Sequence, residues 1–370
     1  MSSGRIIYLL RSRSWDGSAR YVLDLALHMR ERGWNVTAYT PDARAVDDYF
    51  LREGVALRHV PLDSLCDPYT LAVLSRDFRR EPKGAILHVN SIHDAFIAMV
   101  ARKMARRKDM RVIVTMHDSG AWRDNRIIRR IYRNLDAVIF TSRYAFTMFS
   151  EWWSRSALPC SREIIRIMHY AMHRNQGDII PEPAKGSKTA LWHGRIAPGK
   201  GLETLIDAMI LLKGKRIRLQ IAGTGHPDYV DAIRRRAAMG GVLHLIDWKG
   251  KFGDVEELVS GAHFGVCPAV GDEEFGYPNI EYMAAGRAQI TTRHPIQEEY
   301  LTDGKDAVFV PPGDPDALAS AMLTLAENQD LRLKIGLSAA RRARADLSWQ
   351  RFADSMESIY SSVLGKAGGK

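Results

Sequence analysis

Short runs of apolar, β-branched residues alternate along this 370-residue chain with stretches whose apolar positions recur every three to four residues. The first pattern predicts buried strands and the second predicts amphipathic helices. In the first half, strands are predicted near Ile6–Leu10, Asn35–Thr40, Ala56–His59, Ala85–Val89, Val112–Met116, Ala137–Thr141 and Arg166–Tyr170. In the second half they fall near Thr189–His193, Ile217–Ala222, Leu243–Asp247, Phe264–Pro268, Ala288–Thr292 and Val308–Val310. Between them, Val22, Leu25, Ala26 and Met29, or Leu202, Leu205, Ile206 and Met209, mark helix faces turned toward a core. Strand–helix alternation is the signature of parallel sheets with crossover helices. The length exceeds the roughly 250 to 300 residues at which a single core stops growing. The expected fold is therefore α/β, with two doubly wound, Rossmann-like domains. The polar, proline- and glycine-containing stretch 174–188 reads as the connection, which gives a first domain over 1–175, a linker over 176–187 and a second domain over 188–348. After Ser348 one apolar stripe, Phe352, Met356, Ile359 and Val363, predicts a last helix.

Charge separates the two halves. The net charge is +10, yet residues 1–175 hold 29 Lys and Arg against 18 Asp and Glu, whereas residues 176–370 hold 24 against 25. The excess concentrates in 101–111 and 121–134, where basic residues alternate with Met104, Trp122, Ile127, Ile128, Ile131 and Tyr132. Such segments suit an anionic bilayer surface, at about 1 kcal/mol per basic residue near the membrane. A solvated helix face accounts for them nearly as well. No nucleic-acid motif accompanies the charge, so nucleic acid is not expected as a partner. Three dispersed cysteines, Cys66, Cys160 and Cys267, argue against a disulfide framework and for a reducing compartment. The apolar run Ile6–Leu10 is too short for a signal-peptide core, and no stretch has the length of a membrane span. A cytoplasmic protein, peripheral at the inner face of the membrane, is the expectation.

Two polar constellations carry the candidate chemistry. Glu273 and Glu281 stand eight residues apart in EEFGYPNIEYMAAG, with Gly276 and Pro278 between them. The proline belongs in a first helical turn, so a helix is predicted to begin near Asn279 with Glu281 in its positively polarised first turn. Gly276 then lets the preceding loop return Glu273 to the same point. Upstream, WHGRIAPGKG places Arg195 and Lys200 on a glycine-containing turn, beginning at Gly194, between a strand and a helix. Phosphates are commonly cradled there. Two cations for a diphosphate and two carboxylates for hydroxyls describe a nucleotide sugar. The same turn comes within one residue of a phosphate-binding loop of NTPases, but Gly201 replaces the hydroxyl residue that would hold Mg²⁺. The DPD at 314–316 imitates a metal-binding motif but reads as a helix cap. No cofactor and no catalytic metal are expected.

GRIAPGKG, IAGTG, the paired-glutamate loop and VPPGDPDAL stand in the order and at the spacings of one family. The chain resembles the retaining GT-B glycosyltransferases of family-4 type, glycosyl transferases group 1, over most of its length. The resemblance implies two domains facing across a cleft, with the last helix (349–370) crossing back to the first. It implies a hexose moved from a nucleoside-diphosphate sugar to a hydroxyl of a glycan or lipid-linked acceptor, in surface polysaccharide or glycolipid synthesis. Arg195 and Lys200 would clamp the diphosphate, Glu273 the donor sugar and Glu281 the ribose. Phe275 and Gly276 lie in the same loop. Gly223 and Gly225 would bring backbone near the nucleotide, while Gly250, Lys251 and Phe252 occupy the place of base contacts. In the first half, Gly17 and Ser18 would approach the leaving phosphate, and His117 would touch the donor sugar. No protein nucleophile is implied. The favoured chemistry is a front-face reaction in which the leaving diphosphate accepts the acceptor's proton, helped by orientation and charge stabilisation. Arg20, Asn90 and His93 lie on the acceptor side. The chain departs from the family pattern at HYAMH (169–173) and at RHPIQEE (293–299), where Pro295 and Ile296 replace a glycine pair. Those departures keep open a catalytically silent scaffold subunit. A sugar-nucleotide epimerase or glycan phosphorylase, which would share the same fold and cleft but need different sugar-side groups, is the other alternative.

Overall fold

The computed structural model describes residues 4–65, 67–117, 125–153, 159–172, 179–183, 188–253, 255–271 and 276–365. The first domain holds strands β1 (Gly4–Leu9), β2 (Trp34–Thr40), β3 (Ala56–His59), β4 (Ile86–Val89), β5 (Arg111–Met116), β6 (Ala137–Phe140) and β7 (Ile165–Ile167). They form one sheet in the order β3-β2-β1-β4-β5-β6-β7, every neighbouring pair parallel. The second domain holds β8 (Lys188–His193), β9 (Ile217–Ala222), β10 (Ile246–Gly250), β11 (Phe264–Cys267), β12 (Gln289–Thr292) and β13 (Val308–Val310). Their order is β10-β9-β8-β11-β12-β13, again parallel throughout. Each sheet thus repeats the 3-2-1-4-5-6 order of a Rossmann fold, with a topological switch between β1 and β4 and another between β8 and β11.

The central strands are buried on both faces, as parallel strands under crossover helices must be. All four residues of β4 and all four of β6 are buried. The first core gathers Ile7, Leu87, Val112, Val138, Phe78 and Phe149, and the second gathers Ala190, Leu205, Ile221, Phe264, Ile290 and Leu325.

Each predicted strand forms, with two shifts of register. β7 begins at Ile165 because it pairs Ile165 with Val138 and Ile167 with Phe140, so the residues beyond it lead away from the sheet. β10 begins at Ile246, since Leu243–Leu245 makes a 3₁₀ turn instead, and the strand runs on to Gly250 through a bulge opposite β9.

Contacts divide the chain into Met1–Tyr170 with Gln350–Lys370, and Ala171–Trp349. The described part of the expected linker belongs to the second unit for a physical reason. Arg332, fully buried, forks onto Glu182 at 3.0 and 2.9 Å, and Ile180 N–H donates to Ala285 at 3.0 Å. The helix Trp349–Gly365 buries Phe352, Met356, Ile359 and Val363 on the first domain. Its Tyr360 hydroxyl lies 3.1 Å from that of Tyr8 and 2.6 Å from His88 Nδ1, and Trp34 Nε1 donates to Glu357 at 3.1 Å. No helix among the described residues is long and apolar enough to cross a membrane.

Candidate functional site

Ligands of open parallel sheets bind outside the carboxyl ends of the strands, at the switch point. In the second domain that point lies between the loops after β8 and β11, and the two loops are joined. Gly199 C=O accepts from Val270 N–H at 2.9 Å and Gly271 N–H at 3.3 Å. Gly201, at φ +74, starts the helix Leu202–Leu211, and a Cβ there would fall 1.7 Å from the Pro268 carbonyl oxygen. Arg195 is exposed on this loop and makes no ion pair among the described residues, while Lys200 is half-buried. The two cations sit on a turn that the neighbouring loop holds in shape.

Gly223 and Gly225 have a packing role in this arrangement. A Cβ on Gly223 would meet Gly194 O at 1.8 Å, and one on Gly225 would meet Ile196 O at 1.9 Å. The glycines let the loop after β9 lie against the Arg195 loop, where Ile196 N–H donates to Thr224 at 2.8 Å. Gly250 closes β10 and accepts from Gly223 N–H at 2.7 Å. Lys251 is exposed beyond it, and Phe252 meets the His193 ring edge-on at 5.9 Å.

The helix predicted near Asn279 starts two residues earlier, at Tyr277, with Gly276 as its cap at φ +73. Pro278 still falls in the first turn, but Glu281 is the fifth helical residue and not a first-turn acid. Its environment is set by a histidine that the sequence reading missed. Glu281 is buried, and its Oε2 lies 2.6 Å from His193 Nε2. His193 Nδ1 lies 2.8 Å from the Tyr282 hydroxyl, which donates to Leu191 C=O at 2.7 Å. With that hydroxyl proton committed, Nδ1–H is the donor to Tyr282, and Nε2 faces the Glu281 carboxyl group. The available signal was position: His193 is the last residue of β8, at the switch point and directly before the glycine turn. Glu273 and Phe275 lie outside the described residues.

In the first domain Asp16 caps the helix Gly17–Glu31, accepting from Ala19 N–H at 3.0 Å and from Ser18 Oγ at 2.7 Å. Ser12 Oγ donates to its other oxygen at 2.5 Å. Gly17 and Ser18 do open a helix after β1, but a carboxylate already stands at its N-terminus. His117 follows β5 and is buried. Asn90 donates through Nδ2 to Leu9 C=O, so its Oδ1 accepts from His117 Nε2–H at 3.0 Å. Nδ1 is then the acceptor for the Tyr170 hydroxyl at 2.5 Å. Burial pushes His117 down to about 4, so the ring is neutral near pH 7. Tyr170 belongs to the departing HYAMH segment, and this bond is its evident role. Of the acceptor-side expectations, Asn90 is spent on His117, Arg20 lies 3.8 Å from Asp24, and His93 Nδ1 lies 3.5 Å from Asp94.

Two family models match, one to each domain: Glycosyltransferase Family 4 over residues 15–156 and Glycosyl transferases group 1 over residues 187–328. The chain belongs to the family-4, group 1 glycosyltransferases. As a whole, this glycosyltransferase is similar to the phosphatidyl-myo-inositol mannosyltransferase of Mycobacterium tuberculosis H37Rv, 27% identical over 94% of both chains. The enzyme of that name from Mycobacterium leprae is 26% identical over 94% of this chain and 93% of its own. Among solved structures, HepE of Anabaena in complex with UDP-glucose superposes with a TM-score of 0.80 at 18% identity, covering 97% of this glycosyltransferase and 100% of HepE. That likeness shows the fold, GT-B.

Proposed function

We propose that this glycosyltransferase retains anomeric configuration while moving a hexose from a nucleoside-diphosphate sugar to a hydroxyl of a lipid-linked or glycan acceptor. The observation that carries the reading is the joined pair of loops at the second switch point, with Arg195, Lys200 and the buried Glu281 all beyond the carboxyl ends of the two central strands. Arg195 and Lys200 neutralise the diphosphate, and each charged hydrogen bond to it is worth roughly 1.5 to 3 kcal/mol. Glu281, oriented by His193, takes the ribose hydroxyls, and Glu273 takes the sugar. Gly250, Lys251 and Phe252 lie toward the base. The leaving diphosphate accepts the acceptor's proton, so the protein contributes orientation and charge stabilisation. His117, neutral and with both nitrogens engaged, is held in one orientation in the first domain and is not used as a general base.

The names of the relatives favour mannose as the hexose and an inositol-lipid class of acceptor. The first domain supplies the membrane-facing charge, on fewer residues than the sequence suggested. Arg107 is spent on Asp109 and on the carbonyls of Phe78, Glu81 and Pro82, and Arg111 pairs with Asp136. Ile131 and Tyr132 turn inward. Lys103, Arg106, Lys108, Arg126, Arg130 and Arg133 remain exposed beside Met104 and Ile127.

The test is turnover of GDP-mannose and UDP-glucose with phosphatidylinositol vesicles, the product's anomeric configuration being read by NMR. An α-linked product from an α-linked donor, abolished in Glu273→Ala, is expected. An inverted product, or none from any nucleotide sugar, rejects the proposal.

A further inference from the structure

A separate group of ligand-type side chains lies at the far edge of the first sheet. β2 ends at Thr40, the chain passes Asp42, and the helix Arg44–Arg52 carries Asp47 in its first turn. β3, paired in parallel with β2, ends at His59. One ligand atom from each of Asp42, Asp47 and His59 lies within 4.8 Å of the other two.

Three observations give this cluster the character of a site. His59 Nε2 stands 3.8 Å from Asp47 Oδ2, beyond hydrogen-bond reach, whereas two ligands of one tetrahedral ion with bonds of about 2.0–2.1 Å are roughly 3.4 Å apart. A small inward movement joins them through a cation. The Asp47 side chain is 11% exposed, and among the described residues its buried Oδ1 has no hydrogen-bond partner while Oδ2, the oxygen toward His59, has one donor, Ala43 N–H at 3.3 Å. A carboxylate so placed is costly unless a positive charge meets it, and its neighbour Asp42 is another carboxylate. Of the nearby cations, Arg13 pairs with Asp63 while also feeling the charge of Asp42, and Arg44 lies 3.9 Å from Asp48, so among the described residues Asp47 itself faces only His59. Finally, His59 Nδ1 lies 3.5 Å from Thr40 Oγ1, which leaves Nε2 toward the carboxylates in the manner of a metal-bound imidazole held by an outer partner.

We propose that Asp42, Asp47 and His59 bind one divalent first-row transition-metal ion of the Zn²⁺ class, with water completing its coordination. The imidazole selects against the hard cations Ca²⁺ and Mg²⁺, which take oxygen ligands. The ion is structural. It ties the end of β3 to the first turn of the helix Arg44–Arg52, whose Tyr49 stacks on Trp15 with ring centroids 3.8 Å apart and planes 12° from parallel. Trp15 precedes the Asp16 cap, so the ion steadies the turn that opens the first helix.

The experiment is calorimetric titration of chelator-treated, tag-free protein with ZnCl₂, beside thermal melts with Zn²⁺, Mg²⁺ or Ca²⁺. The expected result is one Zn²⁺ site per chain and a raised melting temperature with Zn²⁺ alone. His59→Ala should weaken that site at least tenfold and remove the Zn²⁺-dependent shift. His59 is exposed, so this variant should fold, with an unchanged melt in chelator. Asp42→Asn serves as the second variant, because Asp47 is buried and its replacement risks the fold. Equal Zn²⁺ binding by wild type and His59→Ala, no binding by either, or an equal response to Mg²⁺ overturns the proposal.

Discussion

His193 Nε2 and Glu281 Oε2 lie 2.6 Å apart, so the last residue of β8 is bonded to the helix that follows β11 across the switch point of the second domain. Neither side chain is solvated, and removing one partner strands the other. Glu281→Ala is expected to destabilise the second domain by about 3 kcal/mol or more, the range for breaking a buried pair. The double variant His193→Gln, Glu281→Gln should recover part of that loss while leaving nucleotide affinity low. Urea denaturation and nucleotide titration of the three proteins separate the two effects.

Arg195 and Lys200 stand on the same loop without being part of the core. Replacing either by alanine should leave the melting temperature within a degree or two. The rate at saturating acceptor should fall by about 10²-fold, a few kcal/mol of transition-state stabilisation. Steady-state kinetics beside a thermal melt checks this, and near-normal turnover would remove the diphosphate role.

Glycines on these loops should differ sharply in tolerance. Gly201→Ala and Gly223→Ala each drive a methyl group into a carbonyl oxygen at a positive φ, so the joined loops must part. Both should cost several kcal/mol and lower donor affinity together with stability. Gly199→Ala meets open space at φ +84 and should cost only about 1 kcal/mol, the strain of an alanine in a left-handed conformation. Equal losses in all three would contradict the role of loop packing.

Buried histidines give stability a definite pH slope. Burial lowers His88 to about 3, and His117 and His263 to about 4, all below the ordinary value of 6.5. The unfolded chain therefore takes up protons first. Their contribution is complete above about pH 6.5 and is lost as the pH falls from there toward about 4, and on to about 3 for His88. Urea midpoints measured at intervals across that range should decline toward acid, and His88→Gln should flatten the decline.

Tyr170→Phe removes the donor to His117 Nδ1 and leaves a buried acceptor unpaired, for an expected cost of about 1–3 kcal/mol. His117→Ala in the same background should then add less than it does in the wild type. A double-mutant cycle reads that coupling directly.

Most of the fold was legible because parallel strands under helices are nearly continuous apolar runs, and the runs at Ile86–Val89 and Phe264–Cys267 announce themselves. β10 was misplaced because Leu243 and Leu245, on either side of His244, alternate like the strand that follows, and only pairing with β9 separates them. At the candidate site, the placement of Arg195, Lys200 and Glu281 on loop and helix after β8 and β11 was legible through glycine and proline punctuation. His193 was not, since a histidine ending an apolar strand has no partner in the sequence; its partner lies 88 residues away. The same distance hid the work of Gly223 and Gly225, whose constraint is the backbone of another loop. Asp16 escaped notice because a helix cap and a phosphate-approaching turn share one sequence signature.

The most direct measurement is equilibrium binding of UDP, GDP, ADP, TDP and CMP to the wild type and to Lys200→Ala, by calorimetry in metal-free buffer. The account predicts that one diphosphate binds with unit stoichiometry and that Lys200→Ala weakens it by tenfold or more. Binding of none of the five, or equal binding by the variant, would contradict a donor diphosphate held on the loop after β8.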